Sequence, residues 1–235
     1  MKMKNRIILS ITILFAVVVF AAEAQSQQIQ FKSGGRINYQ MTADEETMLD
    51  SIQRKTFLFF LNEHHSDFGI VKDRTASWAP ASIASTGFGL PSFAIGVERN
   101  WITRDQASRI TLNILSFFLN SEQSPEEKVT GYNGFFYHFL EMKAGKREWN
   151  CELSSVDTGL LMMGIIFARN YYDRDNEVEF KIRSIAELLL GRVEWNFMEM
   201  PDSGKFANQI SMGWDPAKGL HHMGWSGYNE ALFLY

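Results

Sequence analysis

The chain has 235 residues, of which 46% are hydrophobic and 14% aromatic, and its formal net charge at pH 7 is −4. This composition is typical of a globular protein, and the excess of acidic residues argues against a nucleic acid as partner. A single cysteine, Cys151, permits no internal disulfide, so stability must come from a packed core even in an oxidising compartment.

The N-terminus has the three parts of an export signal. Basic residues within the first six positions precede an apolar run over residues 7–22, and Ala22-Glu23-Ala24 fits a small-x-small cleavage site. The run is short for a membrane span, which disfavours a retained anchor. We predict a signal peptide over residues 1–24, an N-terminal extension over residues 25–41, and a periplasmic or secreted protein with no integral membrane span after cleavage. Cleavage leaves 20 basic and 26 acidic residues, a net charge of −6.

Three helices are predicted in the first half of the remaining chain. Thr42 opens a capping-box pattern, and apolar residues then recur at helical spacing to about residue 62. A second helix is expected over residues 82–99, with a kink at Pro91 and small residues that favour close helix packing. Thr103 opens another capping box, which predicts a third helix ending near Ser121.

A β-hairpin is predicted between the third and fourth helices. Residues 134–140 form a short aromatic run, residues 144–146 are typical of a turn, and residues 147–153 can pair back on the first run. This hairpin would present the side chains of Trp149 and Glu152.

The second half of the chain predicts an inner helix, an outer helix and the start of a sixth. Residues 156–170 are apolar around most of the helix circumference, which indicates burial on all sides, whereas residues 177–197 are amphipathic. An extended stretch follows near residues 206–212, and a sixth helix begins near Gly227. Alternation of outer amphipathic and inner apolar helices predicts a double-layered helical toroid, and six helices are half of a twelve-helix ring.

Three carboxylates stand at the entries to apolar helices, close in sequence to indole rings: Glu152 and Asp157 follow Trp149, and Glu230 follows Trp225. Glycoside hydrolysis needs one carboxylic acid to protonate the leaving oxygen and one carboxylate to activate water or attack the sugar. Indole faces also stack on the C–H faces of sugar rings. The combination indicates carbohydrate chemistry.

Each of these features also has a purely structural interpretation. Asp157 and Glu230 lie in first helical turns, where the helix dipole stabilises a carboxylate, and Ser154 or Ser155 could cap the helix around Asp157. Asp73 and Arg74 could be a surface ion pair of little energetic consequence. The tryptophans could pack loops. Adjacent histidines at 221 and 222 point in different directions and have no third ligand at a usual spacing, which disfavours a metal site.

Five ordered sequence blocks support the functional interpretation. They are Asp73-Arg74 with SIASTGFGL at 82–90, GVERNWI at 96–102, GFFYHFL at 134–140, WNCELSSVDTGLL at 149–161 and WSGYNEA at 225–231. Together they resemble the bacterial glucoamylase-like domain, the family that contains inverting endo-β-1,2-glucanases (glycoside hydrolase family 144). Pro91 and Cys151 depart from the pattern expected of that family.

The resemblance implies an all-α-dominated fold, an (α/α)6 barrel with short β-hairpins in the loops at one mouth. It also implies metal-independent hydrolysis of a β-1,2-glucan without a cofactor. It suggests Glu230 as general acid, with Asp157 and Glu152 in supporting or substrate-holding roles. The residues expected to bind an oligo- or polysaccharide are Asp73, Arg74, Trp78, His138, Trp149, Trp225 and Tyr228.

Members of the family continue for roughly the same length again after this point. The resemblance therefore implies that residues 42–235 are the N-terminal part of an incomplete barrel, truncated at its C-terminus, and that the missing half can supply the catalytic base. We expect the full-length protein to be a monomer. Residues 25–235 alone are expected to associate or remain molten and to show no hydrolysis.

The leading hypothesis is an exported glycoside hydrolase acting on a β-glucan by an inverting acid–base mechanism. A non-catalytic carbohydrate-binding protein or an inactive fragment is an alternative, because the aromatic residues are present while part of the acid–base machinery is not. A polysaccharide lyase is a second alternative, since helical toroids also host β-elimination. The sequence, however, shows no basic cluster suited to a uronate.

Overall fold

The computed structural model describes residues 39–234. The chain divides into two units, Met1–Ala43 and Asp44–Tyr235, and the fold below is that of the second. The signal peptide predicted over residues 1–24 and nearly all of the predicted extension lie outside the described residues. Among residues 39–234, no helix has both the length and the apolar character needed to cross a membrane.

Five α-helices and two 3₁₀ helices form within the described residues. They are α1 (Ala43–Asn62), α2 (Ile83–Glu98), α3 (Arg104–Asn120), α4 (Ser155–Tyr171), α5 (Glu177–Arg192) and the 3₁₀ helices Trp195–Met198 and Glu230–Leu234. The capping box predicted at Thr103 is confirmed: its hydroxyl accepts from the amide of Gln106, whose side-chain oxygen accepts from the amide of Thr103. The sixth helix predicted near Gly227 is a 3₁₀ helix that begins at Glu230.

Seven short strands form two antiparallel sheets beside these helices. They are β1 (Ala81–Ser82), β2 (Gly131–Tyr132), β3 (Phe135–Tyr137), β4 (Phe139–Leu140), β5 (Leu153–Ser154), β6 (Gly213–Asp215) and β7 (Gly219–Leu220). β1 pairs with β4, and the larger sheet has the order β2-β3-β5-β6-β7. The predicted hairpin is confirmed in its main pairing, because Phe136 of β3 lies opposite Ser154 of β5. In the extended stretch expected near residues 206–212, Ile210 and Ser211 form isolated β-bridges, and the strand β6 begins just after it at Gly213.

The strands lead directly into the two inner helices. β1 ends at Ser82, the N-cap of α2, and β5 ends at Ser154, the N-cap of α4. Each serine hydroxyl accepts a hydrogen bond of 3.2 Å from the amide three residues later, which satisfies one of the otherwise unpaired amides of the first turn. The sheets therefore lie at the N-terminal ends of α2 and α4.

α2 and α4 cross at glycines. A β-carbon at Gly87 would lie 2.6 Å from the carbonyl oxygen of Leu160, and one at Gly164 would lie 2.2 Å from the carbonyl oxygen of Gly87. Only glycine permits this approach. Pro91 lies within the continuous helix α2 and has no amide hydrogen for that same Gly87 carbonyl, so the missing helical hydrogen bond coincides with the crossing.

The outer layer includes α3 and α5, which are joined by an ion pair. The guanidinium of Arg104 at the start of α3 donates two hydrogen bonds of 2.8 Å to the carboxylate of Glu179 in α5. The Glu179 side chain is only 3% exposed. Glu179 also accepts from the amide of Arg174, and the ring of Tyr171 lies 4.6 Å from the guanidinium carbon. Charge-assisted hydrogen bonds of this kind help to fix the relative position of two helices.

Burial is uneven on α1 and α4. On α1, Met48, Leu49 and Ile52 are exposed, whereas Phe57 and Phe60 are buried. The sequence of α4 predicted burial on all sides, but one flank is open, where Ile166 is 41% exposed. That flank opens into an apolar cavity of about 310 Å³. Residues of α4 and of the two 3₁₀ helices line this cavity: Gly159, Met162, Met163 and Ile166 from α4, and Trp195, Phe233 and Leu234 from the 3₁₀ helices.

Candidate active site

Three titratable side chains meet where the larger sheet joins α4. His138 follows β3, Glu152 precedes β5, and Asp157 lies in the first turn of α4. The pairing of β3 with β5 places the first two side by side, and the amide of His138 donates to the carbonyl of Glu152 at 3.0 Å. Nδ1 of His138 then lies 3.0 Å from Oε1 of Glu152 and 3.7 Å from Oδ2 of Asp157. We call these three residues the carboxylate cluster.

Asp157 belongs to both the helix cap and the carboxylate cluster. The hydroxyl of Ser154 accepts from the Asp157 amide and donates to its Oδ2 at 2.5 Å. The capping interpretation of Asp157 is therefore structurally correct, and Ser154 is the capping residue. The same hydrogen bond fixes the carboxylate next to His138, at a position where the Asp157 side chain is only 12% exposed.

The surroundings shift the pKa values of all three side chains. Burial lowers the pKa of His138, but its hydrogen bond with Glu152 and the negative charge of Asp157 outweigh burial, so the pKa is raised. Burial raises the pKa of Glu152, but the hydrogen bond with His138 outweighs it, so that pKa is lowered. Burial dominates at Asp157 and raises its pKa. The pKa values of the two neighbouring carboxyl groups therefore shift in opposite directions, and Glu152 is the stronger acid.

The carboxylate cluster is also where the described residues bring potential metal ligands together. Nδ1 of His138 and one oxygen each from Glu152 and Asp157 lie within 4.8 Å of one another. A cation there would have to replace the 3.0 Å hydrogen bond between His138 and Glu152, because Nδ1 cannot donate a proton and bind a metal at once.

A chain of aromatic rings leads outward from His138. The imidazole stacks on Phe139 with ring centroids 3.8 Å apart, Phe139 contacts Trp149 at 5.1 Å, and Trp149 contacts Trp78 at 6.0 Å. Trp78 is 66% exposed and Trp149 49% exposed. We call Phe139, Trp149 and Trp78 the aromatic platform. The exposed indoles place an apolar surface next to the buried carboxylate of Asp157 and the partly buried carboxylate of Glu152.

Charged groups border the platform. The guanidinium carbon of Arg74 lies 5.8 Å from the centre of the Trp78 ring, and its Nε donates to Asp73 at 2.6 Å. The ion pair considered for these two neighbours is therefore present. Asp73 also contributes its negative charge to the surroundings of His138. Five of the residues expected to bind substrate consequently lie in one region: Asp73, Arg74, Trp78, His138 and Trp149.

The C-terminal candidates are related to the cluster in different ways. The indole N–H of Trp225 donates to Oγ of Ser155 at 3.0 Å, and Ser155 is the first residue of α4. Glu230 is exposed, and its negative charge is among the causes that raise the pKa of Asp157. Tyr228 is 91% exposed. Trp225 and Glu230 thus lie on the same side of the molecule as the start of α4.

One residue that sequence reasoning missed organises this region. The Arg147 side chain is 4% exposed and pairs with Asp215 at 2.7 Å. Its Nε also donates to the carbonyl of Cys151 at 2.7 Å, and its guanidinium carbon lies 4.7 Å from the Tyr137 ring centre. Asp215 follows 68 positions later, so no local pattern connects the two.

No protein-family model matches the chain. Over 207 residues it is 25% identical to the exo β-1,2-glucooligosaccharide sophorohydrolase (non-reducing end) of Parabacteroides distasonis, an alignment that covers 84% of this chain and 26% of that protein. The chain therefore spans about a quarter of this curated relative.

Solved structures show the same partial coverage. A glucoamylase-like protein from Bacteroides uniformis is 27% identical with a TM-score of 0.63, over 77% of this chain and 42% of that one. The endo-β-1,2-glucanase of Chitinophaga pinensis, solved with sophorotriose and glucose, is 20% identical with a TM-score of 0.65, over 83% and 46%. The resemblance predicted from the sequence is confirmed, and the helix-rich fold with small antiparallel sheets corresponds to part of a glucoamylase-like α/α toroid.

Proposed function

We propose that the protein is a glycoside hydrolase that acts on a β-glucan, with β-1,2-linked glucan as the favoured substrate. The observation that carries this proposal is the carboxylate cluster directly beside the exposed aromatic platform. The sequence similarity to a sophorohydrolase supports the substrate class. Because the chain covers only part of its relatives, the proposal concerns the complete gene product.

The spacing of the carboxylates assigns their proposed roles. Oxygens of Glu152 and Asp157 lie within 4.8 Å of each other, whereas an inverting site separates its two carboxyl groups by about 6.5–9.5 Å to leave room for water. Because the proposed mechanism is inverting, Glu152 and Asp157 are too close together to be its acid and base, and we place both on one side of the scissile bond. Glu230 is the proposed general acid on the other side.

The reaction then needs two proton transfers. Glu230 donates a proton to the glycosidic oxygen as the bond to the anomeric carbon breaks. Water attacks that carbon from the opposite face and gives up a proton. Glu152 is the member of the carboxylate cluster suited to accept it, because the hydrogen bond with His138 lowers its pKa and keeps it anionic. Asp157 and His138 hold Glu152 in position.

The products formed from a panel of polysaccharides test this proposal. The complete gene product is incubated with linear β-1,2-, β-1,3- and β-1,4-glucans, and released reducing ends are measured. New reducing ends from the β-1,2-glucan, first in the α configuration by NMR, are expected for an inverting hydrolase. Absorbance of an unsaturated uronide from uronate polymers would instead indicate a lyase, and binding without product would indicate a carbohydrate-binding protein.

A further inference from the structure

Trp149 occupies an unusual backbone position. The amide of Cys151 donates to the carbonyl of Glu148 at 3.2 Å, which closes a four-residue turn. Its central residues, Trp149 and Asn150, have φ angles of 55° and 50°. Two consecutive positive φ values are the mark of a type I′ turn, for which Asn-Gly is the preferred pair. A bulky residue such as tryptophan is disfavoured in this left-handed region.

Hydrogen bonds from the side chain of Arg147 hold the turn in this conformation. The guanidinium of Arg147 donates to the carbonyls of Asn150 and Cys151 and also forms the ion pair with Asp215. Because the fork of Arg147 is buried and each of these bonds is short, it fixes the backbone on the C-terminal side of Trp149. The turn is therefore rigid although the Trp149 indole is half exposed.

We propose that the turn 148–151 is a preformed sugar-binding subsite in which Trp149, together with Trp78, stacks on one face of a glucosyl ring, and that Arg147 is the positioning residue of this subsite. The substrate class rests on the proposed function. A left-handed backbone at an exposed tryptophan costs free energy, and such outliers persist mainly where a site requires them. A turn with only a structural role would be served better by asparagine.

The surroundings of the indole pair fit a sugar. The negative face of an indole attracts the C–H groups on one face of a pyranose, and the charged side chains of Arg74 and Asp73 at the rim can hydrogen-bond to its hydroxyls. Through Phe139, the platform is in contact with His138 of the carboxylate cluster. A glucan chain stacked on Trp149 therefore lies beside the proposed hydrolytic groups.

Binding of graded β-1,2-glucooligosaccharides to the complete gene product, measured by calorimetry, tests the subsite. Trp149→Asn suits the turn and should keep the fold by circular dichroism while weakening binding about tenfold. Trp78→Ala, which leaves the turn untouched, should also weaken binding. Phe180→Ala removes an exposed aromatic of α5 and serves as the matched control, with unchanged affinity.

A double-mutant cycle tests the role of Arg147. Arg147→Lys should weaken binding in the wild-type background but add little to Trp149→Asn, since it acts through that indole. Additive losses would overturn the positioning role. Should Arg147→Lys not fold, Asp215→Asn replaces it in the same cycle, because it removes the negative charge of the ion pair but keeps an oxygen that can accept from the Ala217 amide.

The outcomes separate the subsite from the proposed function. Oligosaccharide binding that depends on Trp149, with or without hydrolysis or with another glucan linkage, supports the subsite. Wild-type affinity in both tryptophan variants, or no binding of any glucan by the folded protein, would overturn it.

Discussion

His138 and Glu152 share a 3.0 Å contact between Nδ1 and Oε1, and the two residues are also paired through their backbones. The contact favours the charged form of both groups, since it raises the pKa of the imidazole and lowers that of the carboxyl. Asp157, 3.7 Å from the same nitrogen, has the opposite shift because burial dominates there. The hydrogen bond with His138 therefore keeps Glu152, the proposed base, in its ionised form.

His138→Asn tests this relationship through pH dependence. The folded pKa of Glu152 is depressed by His138, so loss of the imidazolium should let Glu152 take up its proton at higher pH. The acid limb of the pH profile of kcat/KM on β-1,2-glucan should move to higher pH. His222→Asn, at an exposed histidine, is the control. An acid limb that stays in place in His138→Asn would remove the histidine from this role.

Glu230→Gln is expected to lower turnover by about 10²–10⁴-fold, because it keeps the size of the side chain but removes the proton that the proposed acid transfers. Glu230 is exposed, so the melting temperature should not change. Glu126→Gln, an exposed acid in another loop, should leave turnover unchanged. Turnover like that of the wild type in Glu230→Gln would exclude this residue as the general acid.

Ser154→Ala separates the capping role from the catalytic one. Loss of an N-cap hydroxyl typically costs about 0.5–2 kcal/mol of stability, and here it also removes a hydrogen bond to Asp157. Ser82→Ala removes the equivalent cap of α2. Both variants should lower the free energy of unfolding by similar amounts in urea denaturation, but only Ser154→Ala should reduce kcat. Equal kcat in the two variants would confine Ser154 to capping.

The buried pair of Arg104 and Glu179 should make stability depend on acid pH. Burial opposes ionisation of Glu179, but hydrogen bonds from Arg104 and the Arg174 amide outweigh it and lower its pKa to about 2. Stability from this depressed pKa is present above the unfolded value of about 4.3 and is lost as pH falls from there towards 2. Glu179→Gln should cost on the order of 3 kcal/mol at pH 7. The free energy of unfolding, measured by urea denaturation, should differ less between variant and wild type at pH 3 than at pH 7. An equal difference at the two pH values would contradict a depressed pKa for Glu179.

The export signal predicted over residues 1–24 can be tested by N-terminal sequencing of the protein recovered from the periplasm or medium. The mature chain should start at or near Gln25, since cleavage after Ala24 fits the small-x-small pattern. Ala24→Lys should block processing. Recovery of the intact Met1 end in the cytosolic fraction would contradict export.

Local signals in the sequence predicted the parts of the site that depend on local structure. The capping box at Thr103 and the aromatic run before Trp149 specify a helix start and a hairpin through contacts a few residues apart. That hairpin is what brings Glu152 beside His138. The motif at residues 149–161 likewise placed Asp157 at the start of an inner helix.

Features set by distant partners were not predictable in this way. The apolar spacing on α1 does not say which side faces the core. Phe57 packs against Gly96, where a β-carbon would lie 2.3 Å from the Phe57 ring, and Ile52 is exposed. The Arg147–Asp215 pair joins a loop to the end of β6, far away in the chain. Neither the buried side of α1 nor this ion pair leaves a pattern in the local sequence, because both depend on the tertiary fold.

The most direct test of the central claim is the initial rate of reducing-end release from linear β-1,2-glucan by the complete gene product and its Glu152→Gln variant, with melting temperatures measured on the same samples. We predict measurable hydrolysis by the wild type and a loss of about 10²–10⁴-fold in the variant. Equal rates in the two folded proteins would show that the carboxylate cluster beside the aromatic platform is not the hydrolytic centre.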